Sequence, residues 1–104
     1  MITRSQIEKM LDGTGIEYRY HHFETEEAIN PPFICWLIPG TNNFSADGVA
    51  YLNVRKLNIE LYTDQKDDNL EKRVEEQING IFWEKSETYI ESEKMYEVLY
   101  EMEV

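Results

Sequence analysis

The sequence predicts an α+β fold: a mostly antiparallel β-sheet with two α-helices packed on one face, in the order α-β-β-β-α-β-β. Apolar residues recur at helical spacing in 4–12 and 68–79, and β-branched and aromatic residues fill the segments between and after them. The chain has 104 residues, close to the common size of one domain. We therefore expect residues 1–104 to form a single α+β domain.

Both predicted helices have start and stop signals. Thr3 and Gln6 have the spacing of a capping box before the first helix, and Gly13 can close that helix at its end. The second helix follows a charged loop whose acidic residues suit its N-terminus, and Asn79-Gly80 is its stop signal. Because the first helix is too short to persist alone, it must pack on the sheet.

Strand patterns occupy the other segments. Segment 16–23 is rich in aromatic and β-branched residues, and the continuous apolar run 33–38 is typical of a central strand buried on both faces. Segment 49–63 alternates, but its apolar parity shifts, which predicts a bulge or two strands with a short break. Segments 81–90 and 95–104 complete the sheet, and the last alternates strictly, as a half-buried antiparallel strand does.

The charge balance excludes several function classes. There are 21 acidic and 10 basic residues, a net charge of −11, so the chain lacks the basic face that binds nucleic acid or an anionic membrane. No apolar segment approaches the ~20 residues that span a bilayer, and the N-terminus does not resemble a signal peptide. With one cysteine, no internal disulfide can form. We expect folding in a reducing cytoplasm.

Residue types that carry chemistry are present without the spacing that chemistry needs. His21 and His22 are adjacent on a predicted strand, where they would point to opposite faces and could not easily share a metal. Cys35 lies in an apolar run, which favours a buried and inert thiol. There is no nucleophile elbow and no phosphate-binding loop. We expect no catalytic, cofactor or metal site, and a protein that is not an enzyme.

Tyrosine is in excess, with seven residues that fall mainly on predicted strands. Cross-strand packing is the simpler explanation, and a protein interface is the alternative. The last strand, which runs to Val104, is a possible edge for pairing with a neighbour, and loops 39–48 and 63–69 are long enough to reach one. The candidate interface residues are Phe44, Asp47, Tyr62, Tyr96, Tyr100 and Met102.

Four stretches carry a resemblance to a known family: PPFICWL at 31–37, NNFSADG at 42–48, LNIELYTD at 57–64 and EKSETYIESEKMYEVLY at 84–100. They resemble small proteins from phage and prophage morphogenesis clusters, above all the tail terminator (tail completion) proteins, with head–tail connector and minor tail proteins next. The resemblance implies a compact α+β subunit without catalytic residues or cofactors. It implies a ring, usually a hexamer, that caps the tail tube and joins other tail or connector proteins.

A further expectation concerns the acidic charge of a ring subunit. In a ring, acidic residues facing the lumen would keep DNA from sticking during passage. The subunit would be found in the host cytoplasm during assembly and then in the virion, at the tail or the head–tail junction.

The alternative is an acidic inhibitor or DNA mimic that binds a host nucleic-acid enzyme. Its carboxylates would have to match phosphate spacing, whereas on the helix 68–79 they alternate with Lys and Arg.

Overall fold

A computed structural model describes residues 2–27 and 29–104. Its elements in chain order are α1 (Arg4–Asp12), β1 (Tyr18–Tyr20), a 3-10 turn (Thr25–Glu27), β2 (Phe33–Leu37), β3 (Phe44–Ala46), β4 (Val49–Leu52), β5 (Lys56–Thr63), α2 (Asp68–Gln77), β6 (Trp83–Ile90) and β7 (Met95–Glu103). The predicted α+β class is confirmed, but five strands precede α2 where the sequence predicts three. The parity shift after β4 marks two separate strands, because β4 and β5 belong to different sheets.

The main sheet has five strands in the order β1-β2-β5-β7-β6. Every pair in it is antiparallel except β1 and β2, which run parallel. β7 lies between β5 and β6, so the prediction that the last strand is a free edge is wrong. The edges are β1 and β6, because β6 and β7 form a hairpin that places β6 on the outside.

Both helices cover the same face of this sheet. Ile7 and Leu11 of α1 and Val74 of α2 are each at most 1% exposed, and Ile78, just after α2, is equally buried. The strand residues of this core are Ile34, Trp36, Leu57, Ile59, Leu61, Val98, Tyr100 and Met102. A fully buried side chain of this size stabilises the fold by about 1.5–3 kcal/mol, so most of the folding free energy comes from this side of the sheet.

The helix starts follow the predicted capping chemistry. The Thr3 hydroxyl accepts a hydrogen bond from the Gln6 amide at 3.2 Å, and the Gln6 side chain accepts one from the Thr3 amide at 2.8 Å. At the second helix the Asp67 carboxylate accepts from the amides of Asn69 and Leu70, both at 3.1 Å. These bonds satisfy amides that the helices themselves leave unpaired.

A polar network fixes α2 to strands β6 and β7. The carboxylate of Glu71, 4% exposed, accepts hydrogen bonds from the ammonium groups of Lys66 at 2.6 Å and Lys85 at 3.1 Å. Lys85 also donates to Glu75 at 2.7 Å, and the Tyr100 hydroxyl donates to the same carboxylate at 2.7 Å. The hydrogen bond to Glu71 raises the pKa of Lys66, and the one to Glu75 raises the pKa of Lys85. These ion pairs therefore hold the helix on the sheet at neutral pH.

Candidate functional site

The face of the main sheet that points away from the helices carries neither α-helix. The segment after β1 reaches onto its β1 and β2 edge, where the Phe23 and Phe33 ring centroids lie 5.1 Å apart and Glu27 pairs with Arg19 at 2.8 Å. Side chains alternate between the faces of a strand, so the residues between the core positions lie on this side. We call it the open face. It consists of Phe33, Cys35, Leu37, Asn58, Glu60, Tyr62, Glu84, Ser86, Thr88, Glu97, Leu99 and Glu101.

The centre of the open face is more apolar than a surface that only meets water. Cys35 is 6% exposed, and Phe23 from the segment after β1 packs beside it on Phe33, with ring centroids 5.1 Å apart. The Phe33 and Tyr62 rings stack beside it, with centroids 4.9 Å apart. Burial raises the pKa of the Cys35 thiol to about 11, so the group stays protonated and is a poor nucleophile.

Carboxylates surround this apolar centre. The Tyr62 hydroxyl donates to Glu60 at 3.0 Å, and Glu97 lies opposite Tyr62 on the neighbouring strand β7. Burial and the nearby charge of Glu60 raise the pKa of Glu97. The environment of the open face therefore makes the ionised form of Glu97 less favourable than it would be in water.

A groove of about 370 Å³ lies at one end of the open face. Its lining residues are Asn42, Lys56, Asn58, Phe82, Glu84, Glu101, Met102 and Glu103. Glu84 and Glu101 stand directly opposite each other on β6 and β7, and the ring of Phe82 beside them is 81% exposed. The side-chain amide of Asn42 donates a hydrogen bond to the Glu103 carboxylate at 2.9 Å, which ties the groove to the segment that follows β2. The groove can accept a side chain that combines positive charge with an apolar surface.

Strands β3 and β4 form a separate hairpin, which we call the arm. Asp47 and Gly48 connect its strands with φ values of 52° and 77°, the two positive angles of a type I′ turn. The prediction of a loop over 39–48 is therefore wrong for 44–46, which form β3. An Asp-Gly pair flanked by apolar residues is a known hairpin signal and could have identified the arm.

The arm has one apolar face. Phe44 pairs with Leu52 and Ala46 with Val49, and residues paired across an antiparallel ladder share a face. Val49 and Leu52 are three residues apart and would otherwise point to opposite sides, but a register shift between Phe44 and Ser45 brings them together. Phe44, Val49 and Leu52 are 62%, 67% and 51% exposed. A contiguous exposed apolar strip is typical of a protein interface.

Backbone hydrogen bonds anchor the base of the arm. The Asn42 amide donates to the Val54 carbonyl at 2.7 Å, and the Lys56 amide donates to the Gly40 carbonyl at 2.9 Å. Arg55 exchanges two backbone hydrogen bonds with Val104, at 3.2 and 2.8 Å. The arm is thereby attached directly to the strand end of β5 and the last residues of the chain.

The six candidate interface residues lie in three different places. Phe44 and Asp47 are exposed on the arm, and Tyr62 is half-buried on the open face. Tyr96 is half-buried on the helix side, with its ring centroid 4.9 Å from that of Tyr89.

The structure corrects two of the six. Tyr100 is 0% exposed and Met102 is 5% exposed, because these positions of β7 face the helices. Both belong to the core, so Tyr100 has no exposed surface for an interface, while Met102 also lines the groove. The sequence showed the alternation of β7 without showing which side the helices would cover.

Other chemical groups do not converge on a site. β1 ends at Tyr20 and His21 has a φ of 71°, so the prediction that the two histidines point to opposite faces of a strand is wrong. Their Nδ1 atoms lie 3.3 Å apart on the exposed surface. In the described part of the chain, no group of three or more His, Cys, Asp or Glu residues could hold a metal ion. Nor does that part contain a helix long and apolar enough to cross a membrane.

The arm, the open face and the groove are thus the features of this fold that offer contacts to other molecules. Comparisons of the chain with known protein families, curated proteins and solved structures found no match.

Proposed function

We propose that this protein is a structural subunit of phage or prophage tail assembly, acting as a tail terminator-like ring subunit at the head–tail junction. The observation that carries the proposal is the arm. Its apolar strip of Phe44, Val49 and Leu52 contributes nothing to the subunit's own core. An arm that contacts a different surface of the next copy makes a heterologous interface, and such interfaces close into rings when the rotation fits.

The edges of the main sheet support the same role. β6 is an edge strand of eight residues, Trp83–Ile90, and an unpaired edge of this length can add a strand from a neighbour. Its charged residues Glu84, Lys85 and Glu87 reduce indiscriminate pairing, as charges on natural edge strands do. A ring subunit needs an edge of this kind, which pairs only with the intended partner.

The charge of the chain fits assembly in two ways. A net charge of −11 makes free copies repel each other, so that a ring forms only where another surface templates it. In the finished ring, acidic groups along the channel repel the DNA that passes through it. The partners in this proposal are other copies, six in a ring as the resemblance implies, and neighbouring tail or connector proteins. The function requires no catalytic residue and no cofactor.

Native mass spectrometry of the purified protein, alone and with tail tubes, tests the proposal. We expect a hexamer, or a ring that forms only on tube ends. The double variant Phe44→Ser/Leu52→Ser removes the apolar strip and should abolish the ring without unfolding the subunit, because exposed substitutions change stability by about 0.5 kcal/mol or less. The control is Phe82→Ser, which removes an aromatic side chain that is 81% exposed and lies outside both the arm and strand β6.

A wild-type chain that stays monomeric with tail tubes would contradict the ring. Equal assembly by the arm variant and the control would show that the arm does not make the contact.

The carboxylates of the open face favour a second candidate, an acidic inhibitor or DNA mimic. Glu60, Glu84, Glu97 and Glu101 lie on adjacent strands of one surface, as a phosphate-like array requires. In that case the monomer would capture a host nucleic-acid enzyme, and duplex DNA would compete for the same site. An isolated protein that assembles into rings would oppose this alternative.

A further inference from the structure

The negative charge of the open face is not neutralised within the subunit. In the described part of the chain, Glu60, Glu84, Glu97 and Glu101 form no ion pair within 4.0 Å. On the helix side, by contrast, Glu71 is paired with two lysines.

Few cations lie near these four carboxylates. Arg19, at the β1 edge of this face, is already engaged by Glu17 at 3.3 Å and Glu27 at 2.8 Å. Among the described residues that line the groove, Lys56 is the basic one, and it lies opposite Glu103 on β7. The open face therefore has capacity for additional positive charge.

Strand register brings two of these charges together. Glu84 and Glu101 are direct cross-strand neighbours, an arrangement in which like charges destabilise a sheet. Sequences usually place opposite charges or neutral residues at such positions, and exceptions concentrate at functional sites. A cation that arrives with a partner would relieve this repulsion.

The apolar groups of the open face indicate what kind of molecule brings the cation. Leu37 and Leu99 are half-buried there, and Phe82 at the groove is 81% exposed. A surface that only lines a water-filled channel gains nothing from such groups, whereas a protein interface combines an apolar centre with polar surroundings. Nucleic acid is disfavoured because its phosphates would meet carboxylates of the same sign.

We infer that the open face is the docking surface for a cationic segment of a partner protein. Its Arg or Lys side chains enter the groove over Glu84 and Glu101, and its apolar side chains cover Leu99 and its neighbours. Arginine suits this site best, because a guanidinium binds carboxylates in a planar fork and stacks on an aromatic ring such as Phe82. The inference does not depend on the ring, since the arm and the groove are separate surfaces.

The test is a titration of the ¹⁵N-labelled full chain with the synthetic peptide acetyl-Arg-Leu-Arg-Leu-Arg-amide, followed by amide chemical shifts. We expect the largest shift changes on β6 and β7 around residues 84 and 101. The matched control peptide carries citrulline, which has almost the same shape as arginine without its charge. It should bind about tenfold more weakly, the sum of two or three exposed ion pairs.

Two protein variants locate the effect. Glu84→Gln/Glu101→Gln should weaken binding of the arginine peptide about tenfold, because it removes two or three exposed ion pairs with the peptide. The variant should fold as well as the wild type, because it removes the repulsion between the two carboxylates. The control Glu91→Gln/Glu93→Gln removes the same amount of charge from the exposed turn between β6 and β7. It should change binding less than twofold, because screened charges at that distance contribute little.

Several results would overturn the inference. Equal affinity for the citrulline peptide would show that charge does not select the partner, and shift changes confined to the helix side would place binding elsewhere. Shift changes on the open face with protein concentration alone would identify a second copy as its occupant. The titration uses no tail tubes, so its failure would leave the ring proposal standing.

Discussion

The helix-covered face and the open face of the main sheet are made by alternate residues of the same strands. Along β7, Val98 and Tyr100 are buried under the helices, while Glu97 and Glu101 lie on the other side. The covered face is an apolar core, and Glu71 at its rim is paired with two lysines. On the open face, the half-buried carboxylates of Glu60 and Glu97 form no ion pair with any described residue. The chain thus stabilises itself from one side and leaves the other available for contacts.

The largest effect should come from truncating the same residue type on each face. Leu61→Ala on the covered face should cost about 3 kcal/mol in unfolding free energy, because Leu61 is 0% exposed and its removal leaves a cavity. Leu99→Ala on the open face should cost about 1 kcal/mol, since the side chain is already partly hydrated. Urea unfolding at equilibrium measures both. Equal costs would mean that the open face is part of the core.

Removing Glu71 should have the next largest effect, because it breaks the network that holds α2 on the sheet. We expect Glu71→Ala to cost about 2 kcal/mol, as it leaves Lys66 and Lys85 without their shared buried acceptor. The loss in unfolding free energy is moderate because both lysine side chains are about half exposed, so their ammonium groups can be hydrated when Glu71 is absent. Glu76→Ala, an exposed position on the same helix, is the control and should change stability by about 0.5 kcal/mol or less. Similar losses for the two variants would contradict the role of the network.

The covered face was largely readable in the sequence, because it depends on local signals. The stripe that begins at Ile7, the capping box at Thr3 and the Asp67 cap all depend on residues within one turn of each other, and each is found in the structure. Helix positions and core residues follow from such periodicity.

The contact surfaces were harder to predict, because they depend on long-range pairing. The strand order that puts β7 inside the sheet involves residues far apart in the chain, and so does the choice of face that buries Tyr100 and Met102. The arm was missed for a different reason. Its Asp47-Gly48 turn was visible, but the three-residue strand β3 is too short to give an alternating pattern.

A smaller effect should follow from removing one hydroxyl on the covered face. Tyr100→Phe deletes the hydrogen bond that the hydroxyl donates to Glu75 at 2.7 Å while keeping the ring in the core. We expect a loss of about 1 kcal/mol in urea unfolding, the usual net contribution of such a bond. Tyr89→Phe is the control, since its side chain is 47% exposed. A loss as large as that of Leu61→Ala would show that the substitution disturbs packing as well.

The smallest effect, and the one that tests the open face most directly, is a gain in stability from neutralising Glu97. Burial and the charge of Glu60 raise the pKa of Glu97 in the folded chain above its value in the unfolded chain. The folded state therefore holds the proton more tightly, and ionisation of this group lowers stability as pH rises through the interval between the two pKa values. Glutamine imitates the neutral acid.

Glu97→Gln should thus be more stable than the wild type at about pH 7, by about 0.5 kcal/mol, the size of a typical cross-strand charge effect. At about pH 3, below the ordinary glutamate pKa of ~4.3, both chains carry a neutral group at this position and the difference should vanish. Urea unfolding at the two pH values measures it, with Glu93→Gln in the exposed turn as the control. A destabilised variant at neutral pH would show that the charge of Glu97 supports the fold, and the open face would then be balanced within the subunit.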